Sequence, residues 1–153
     1  MQQEAFSIRP ACAEDLETLV AFTLAEAREA EGEDKSPQAV DVGVRTALLD
    51  ASIARYWVAE DAAGAIVGSI SVVREWSDWN GGFYWWIQSV YIQPGIRGQG
   101  LIAYLLDHVR AIAREGGALD LRLYVHRKNR RARSAYLREG FAIAPYEIMI
   151  APL

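Results

Sequence analysis

Ser89-Val90-Tyr91-Ile92-Gln93-Pro94-Gly95-Ile96-Arg97-Gly98-Gln99-Gly100-Leu101 is the segment from which the rest of the chain can be read. A β-branched and aromatic run enters a glycine-rich turn. Leu101, Leu105, Val109 and Ile112 then recur at helical spacing until Gly116-Gly117. The pattern is strand, tight turn, helix. Gly98 and Gly100 carry no Cβ, so the backbone there can tighten and approach a ligand closely. The first N–H groups of the helix have no partner within it, and the helix dipole adds positive character at that end. Such a turn suits phosphate or pyrophosphate, with Arg97 able to add a charge-assisted bond at its edge.

Upstream, Phe6 to Arg9 reads as a short strand stopped by Pro10. Leu16, Leu19, Val20, Thr23 and Ala27 mark a helix from Ala13 to about Ala30, ended by Gly32. Ser36-Pro37 opens a second helix, with Ser36 as N-cap and Pro37 in the first turn. Three strands follow, Tyr56–Ala59, Ala65–Arg74 and Phe83–Ile92, with Gly68 marking a kink or bulge. Asp61-Ala62-Ala63-Gly64 and Asn80-Gly81-Gly82 are turn signals, so the three strands should be antiparallel neighbours. Downstream, Leu119, Leu121, Leu123 and Val125 alternate with polar residues as a half-buried strand. A short helix runs from Arg130 to about Glu139, and Phe141 to Ile150 supplies one or two closing strands. The order β-α-α-β-β-β-α-β-α-β implies one domain over residues 1–153. Its class is α/β (α+β), with a mixed, mostly antiparallel central sheet flanked by helices.

Two phosphate-binding readings fit the turn. Gly98-x-Gly100-x-x-Ala103, with Asp120 further on, formally matches a dinucleotide fingerprint. That reading needs the acid at the carboxyl end of a parallel strand. Asp120 instead sits near the start of its strand, after an antiparallel run. The alternative is an acyl-CoA site. Arg97-Gly98-Gln99-Gly100 resembles the pyrophosphate loop R/Q-x-x-G-x-G/A of the GNAT superfamily of N-acetyltransferases. The segment from His126 to Phe141 resembles the N-x-x-A-x-x-x-Y-x-x-x-G-F pattern of the same family, through Asn129, Ala132, Tyr136, Gly140 and Phe141. The two motifs stand in the family's order and spacing. The element order agrees from Phe6 to the C-terminus. Ile102 departs from the family's usual Gly or Ala and narrows the expected pyrophosphate site.

The resemblance implies acetyl-CoA as acyl donor and cosubstrate, a primary amine as acceptor, and direct transfer in a ternary complex. It implies backbone contacts from Val90, Tyr91 and Ile92 to the pantetheine arm, which would lie on the strand edge as an added strand. The pyrophosphate would rest on N–H groups from Arg97 through Gly98, Gln99, Gly100 and Leu101 to Ile102. Asn129, in the same motif as Ala132, would bond the pantetheine region. Arg127, Lys128, Arg130 and Arg131 would meet the CoA phosphates from the rim. Tyr136 is the implied general acid, giving a proton to the departing thiolate. A backbone N–H at Tyr91 or Ile92 would polarise the thioester carbonyl.

Many relatives carry a carboxylate on the strand before the glycine loop, but Phe83–Ile92 contains none. Gln88 holds the inward-facing candidate position and can orient a water but cannot act as a base. Glu75, Asp78 and Glu147 are alternatives, and a water chain is the reading preferred from sequence. Trp76, Trp79, Tyr84, Trp85 and Trp86 cluster about one hairpin. Alternation places Trp85 and Trp86 on opposite faces. Trp76 and Trp85, with Gln88, are the acceptor-side candidates. His108 and His126 read as surface histidines. No Cys/His ligand cluster is present in the sequence, so no metal is expected.

At 52% hydrophobic and 24% charged residues, the chain is too apolar for a disordered one. Its net charge of -4 argues against nucleic acid as partner. The charge is divided: residues 1–60 hold twelve acidic and five basic residues, and residues 61–153 hold eight and eleven. The second part suits an anionic cofactor, and the first suits a cationic amine. The lone Cys12 allows no internal disulfide. Met1-Gln2-Gln3-Glu4 lacks the basic start of a leader, and no apolar run is long enough for a membrane helix, so a cytoplasmic location is expected. A homodimer is compatible with the aromatic hairpin. The missing strand carboxylate and Ile102 keep a non-catalytic acyl-CoA-binding module open beside the enzyme. A larger acyl group and a peptide amine acceptor also remain alternatives.

Overall fold

A computed structural model describes residues 5–153, so the Met1–Glu4 start lies outside the described residues. The elements are β1 (Phe6–Pro10), α1 (Leu16–Glu31), α2 (Pro37–Leu49), β2 (Arg55–Asp61), β3 (Ile66–Ser77), β4 (Gly82–Ile92), α3 (Leu101–Glu115), β5 (Leu121–Leu123) and α4 (Arg130–Arg138). The five strands form one sheet in the order β1-β2-β3-β4-β5. Each of the first four is antiparallel to its neighbour, and β5 runs parallel to β4 after the α3 crossover. This is the mixed sheet expected from the sequence. No described helix is long and apolar enough to cross a membrane.

Helices cover both faces, and β2 shows the division residue by residue. Trp57 and Ala59 join the larger core beneath α3, with Leu101, Leu105, Leu106 and Val109. Val58, between them, faces Leu19 of α1 and Val44 of α2. Successive strand side chains alternate faces, so two cores form on one sheet. The start of α1 is tied down by Arg9 of β1, whose guanidinium donates to both oxygens of the buried Asp15 at 2.8 and 2.9 Å. Gly32 ends α1 at φ 70°, and Ser36 Oγ accepts from Ala39 N–H to cap α2.

Gly68 holds α3 close to the sheet. A Cβ there would lie 3.1 Å from the Tyr91 carbonyl oxygen and 3.2 Å from Leu101 Cδ2. The β2–β3 register also shifts between Ala59 and Glu60, so the kink read at Gly68 has a bulge beside it.

Three readings of the sequence change. The strand expected from Leu119 to Val125 shortens to Leu121–Leu123, because pairing with β4 ends at Ile87–Leu123. Phe141 to Ile150 forms no strand: Phe141 stays half-buried, and residues 142–153 run exposed without ladder partners. His108 is half-buried rather than on the surface. Its ring meets Trp57 edge-on at 6.0 Å, and burial lowers its pKa.

Candidate functional site

β4 and β5 part company after Ile87 and Leu123. The gap between them opens a cleft of about 740 Å³ that reaches from α1 on one face of the sheet to α4 on the other. One end is the glycine turn. Gly98 and Gly100 both stand at φ 83°, in the left-handed region that side-chain-bearing residues avoid. Gly100 is the N-cap of α3 and brings no side-chain bond. The first helical bond there is Tyr104 N–H to Gly100 carbonyl, which leaves the N–H groups of Leu101, Ile102 and Ala103 without helical partners. The Leu101 side chain is core, so its contribution to the site is its backbone.

Arg97 beside the turn is already engaged. Its Nε donates to the Ile92 carbonyl at 2.9 Å, and its Nη2 meets Glu29 of α1 at 2.7 Å. Its guanidinium also stacks over Tyr91, 5.5 Å from the ring centre. The arginine therefore locks the turn onto α1 and β4.

The wall of the cleft is the open edge of β4. There the Val90 N–H donates to Glu26 Oε1 of α1 at 3.3 Å rather than to a strand. Glu26 is half-buried, and loss of water raises its pKa to about 7; its bonds to Val90 and Ser89 oppose that rise. Tyr136 of α4 lines the same cleft, almost wholly buried, with Phe141 edge-on at 5.8 Å. Burial, then the negative charge of Glu26, push its phenol above the ordinary value, so it stays protonated at neutral pH. A carboxylate that can accept a proton near pH 7 thus shares a cleft with a phenol that can donate one.

Glu26 was missed from the sequence because it is one of several acids on an amphipathic helix far from either motif. Its spacing of three and four residues from Thr23 and Phe22 placed it near the buried stripe. That was the available signal.

Asn129 caps α4, its Oδ1 accepting from Ala132 N–H at 3.2 Å, and both residues line the cleft. Arg127, Lys128 and Arg130 are exposed beside it, and the exposed Arg131 reaches its lining.

Other sequence candidates fall elsewhere. Gln88 is exposed and outside the cleft. Ser71 pairs with Ser89 and Val72 with Ile87, which leaves Gln88 as the extra residue of a bulge. The bulge resets the alternation: Ile87 and Val90 face α3, while Tyr91 packs on Phe22 of α1. Trp85 is 4% exposed in the core beneath α3, so it cannot line an acceptor site. Trp86, on the opposite face, stacks on Tyr124 at 4.5 Å. Trp76 pairs with Phe83 at the hairpin end of β4. Val90 is seven positions along from Phe83, roughly 23 Å of strand. Glu75 and Asp78 share that remote end, and Glu147 lies on the exposed C-terminal segment, 3.6 Å from Arg127.

Residues 16–141 match the acetyltransferase (GNAT) family. Among curated proteins, a 57-residue stretch is 40% identical to an uncharacterized N-acetyltransferase of Mycobacterium bovis, covering 37% of this chain and 36% of that one. An 88-residue stretch is 39% identical to the streptothricin acetyltransferase of Streptomyces lavendulae, covering 58% of this chain and 44% of that protein. The matched stretch thus spans less than half the length of either relative. Among solved structures, one described as a possible acetyltransferase from Clostridium difficile superposes with a TM-score of 0.90. It is 30% identical, over 98% of this chain and 99% of that one.

Proposed function

The chain belongs to the GNAT acetyltransferase family, and from that premise we propose that it moves the acetyl group of acetyl-CoA to a primary amine of a small acceptor. The observation that carries this reading is the meeting of Glu26, Tyr136 and the open Val90 edge in one cleft that ends at the unpartnered amides of α3.

The donor's pyrophosphate rests on the N–H groups of the Gly98–Ile102 turn. Its amide-bearing arm lies along β4 from Val90 to Ile92 as an added strand. Asn129 and Ala132 close the opposite side. The Asn129 oxygen is held by its cap, so its amide NH₂ is the group offered to the arm.

An amine is mostly ammonium at neutral pH and must lose a proton before it attacks. Glu26, poised near pH 7, takes that proton directly or through one water. The free amine nitrogen adds to the thioester carbonyl. The resulting oxyanion is stabilised by a backbone N–H of the β4 edge. Collapse breaks the C–S bond, Tyr136 O–H gives its proton to the leaving sulfur, and the nitrogen's remaining extra proton passes to solvent. The products are the amide and CoA thiol. No acyl-enzyme is required, and the exposed Cys12 lies at the start of the turn before α1.

Thiol release from acetyl-CoA against a panel of amines tests the reaction, with propionyl- and succinyl-CoA as competing donors. Tyr136→Phe should lower kcat at least tenfold and leave the KM for acetyl-CoA nearly unchanged. Full kcat in that variant removes Tyr136 as the acid. Acetyl-CoA binding without thiol release from any amine would point to the non-catalytic module instead. Failure of acetyl-CoA to bind at high micromolar concentration in calorimetry overturns the donor assignment.

A further inference from the structure

Alternation sorts the side chains of the last two strands into two sets. Phe83, Trp85, Leu121 and Leu123 pack into the core beneath α3. Tyr84, Trp86, Arg122 and Tyr124 alternate with them and so face the other side of the sheet, where α1 lies. These four are layered. The Arg122 guanidinium lies 3.4 Å over the Tyr84 ring and 5.9 Å from the centre of Trp86. The Tyr124 ring stacks on Trp86 with centres 4.5 Å apart and planes 19° from parallel. Both ends of the layer nearest the hairpin are braced. Arg122 donates from Nε and Nη2 to the Asp120 carboxylate at 2.9 and 3.2 Å, and the Asn80 amide donates to the Tyr84 hydroxyl at 2.7 Å. The result is a fixed, flat shelf.

The last ring of that shelf belongs to the cleft. Tyr124 stands in the lining together with Glu26, Val90 and Tyr136. Trp86 covers one face of the ring, yet Tyr124 is 65% exposed, so its other face is open. A second flat ring covers such a face better than a chain does, because stacking adds to the burial of area. Charge narrows the choice further. Two acids line the cleft, and Glu29 is already paired with Arg97 at 2.7 Å. Glu26 is then the one acid of the lining without a basic partner among the described residues. Asp120, at the far end of the shelf, is likewise taken by Arg122. An acceptor with several ammonium groups would meet Arg97, Arg131 and Arg138 in the lining with a single carboxylate to set against them.

We propose that the acceptor is an aromatic monoamine, whose nitrogen meets Glu26 while its ring lies on the open face of Tyr124 and extends the stack begun by Tyr84, Arg122 and Trp86. The proposal rests on the acetyl-transfer reading and narrows its acceptor to one chemical class. Tyr124 acts as a specificity-determining residue: it takes no part in the proton steps and holds the ring from which the amine reaches the thioester.

Thiol release from acetyl-CoA with matched amines tests it. Phenethylamine and its ring-saturated counterpart cyclohexylethylamine share the amine and the spacing and differ in the flat ring; spermidine supplies several charges without one. Phenethylamine should exceed cyclohexylethylamine in kcat/KM by roughly fivefold or more, through a lower KM, with spermidine poorer than either. Tyr124→Leu should raise the KM for phenethylamine until the two ring amines differ by no more than about twofold. Tyr124→Phe should keep the preference, because the flat face remains. The side chain is mostly exposed, so both variants should fold. Thiol release that is equal for the two ring amines, or fastest with spermidine, overturns the proposal and leaves acetyl transfer standing. A preference that survives Tyr124→Leu also overturns it, by placing the ring on another surface. Thiol release with none of the amines overturns it together with the transfer reading.

Discussion

A carboxylate among apolar neighbours resists ionisation, and at Glu26 this bears on stability and on the proposed catalysis. Its pKa in the folded chain is pushed up to about 7, so the folded state holds the proton more tightly than the unfolded state does. The stability tied to that proton is complete below the unfolded value near 4.5 and is lost as pH rises through about 7. Glu26→Gln should therefore leave stability nearly unchanged at pH 4.5. At pH 8 it should raise stability on the order of 2 kcal/mol, read as a higher urea midpoint. The same substitution should remove the proposed general base. In the parent enzyme kcat/KM should climb with pH to a plateau above about 7, because the protonated carboxyl cannot accept a proton. The variant should lose that limb together with tenfold or more of its rate. A stabilised variant with an unchanged pH profile would separate the two effects and return the base to a water chain.

At the scale of elements, the glycine turn sets how close a phosphate can come to α3. Gly100 at φ 83° is both the N-cap and the corner. Gly100→Ala should cost about 1 kcal/mol or more of stability and raise the KM for acetyl-CoA severalfold, since the amides behind it would turn away. Ser36→Ala is the control. It removes the exposed N-cap of α2, should cost about 1 kcal/mol, and should leave that KM alone. Equal effects on KM would mean that the turn acts through global stability only. The turn, the caps and the antiparallel run were legible because local chemistry decides them: glycine at positive φ, Ser-Pro at a helix start, alternation along a strand. The position of Gln88 was not, because one inserted residue in β4 reverses the faces of those beyond it, and composition does not mark a bulge. Trp85 misled for a related reason. Alternation separates it from Trp86 but does not say which of the two faces the core. The C-terminal residues read as strands on propensity alone. A strand also needs a partner edge, and no strand among the described residues pairs with them.

Across the whole molecule, the division of charge meets the division of faces. The acids of α1 approach the cleft from one side of the sheet, through Glu26 and Glu29. The basic α4 approaches it from the other, through Arg131 and Arg138. The two basic contributions differ in kind. Arg97 is held by Glu29 and the Ile92 carbonyl, so it positions the turn. Arg131 is exposed, and Arg127 is held only by a solvent-exposed pair with Glu147 at 3.6 Å, so both can turn toward a ligand's phosphates. Attraction by exposed charges is screened within about 10 Å at 0.1 M salt. Raising ionic strength from roughly 0.05 to 0.5 M should therefore raise the KM for acetyl-CoA severalfold, with kcat much less affected. Arg127→Ala combined with Arg131→Ala should raise that KM at low salt and flatten its salt dependence. Arg97→Ala should instead raise it by a similar factor at every salt concentration, because what it removes is a fixed turn rather than a mobile charge. A salt response unchanged by the double substitution would show that the donor's phosphates are met by the turn amides alone, and that the basic run of α4 faces solvent.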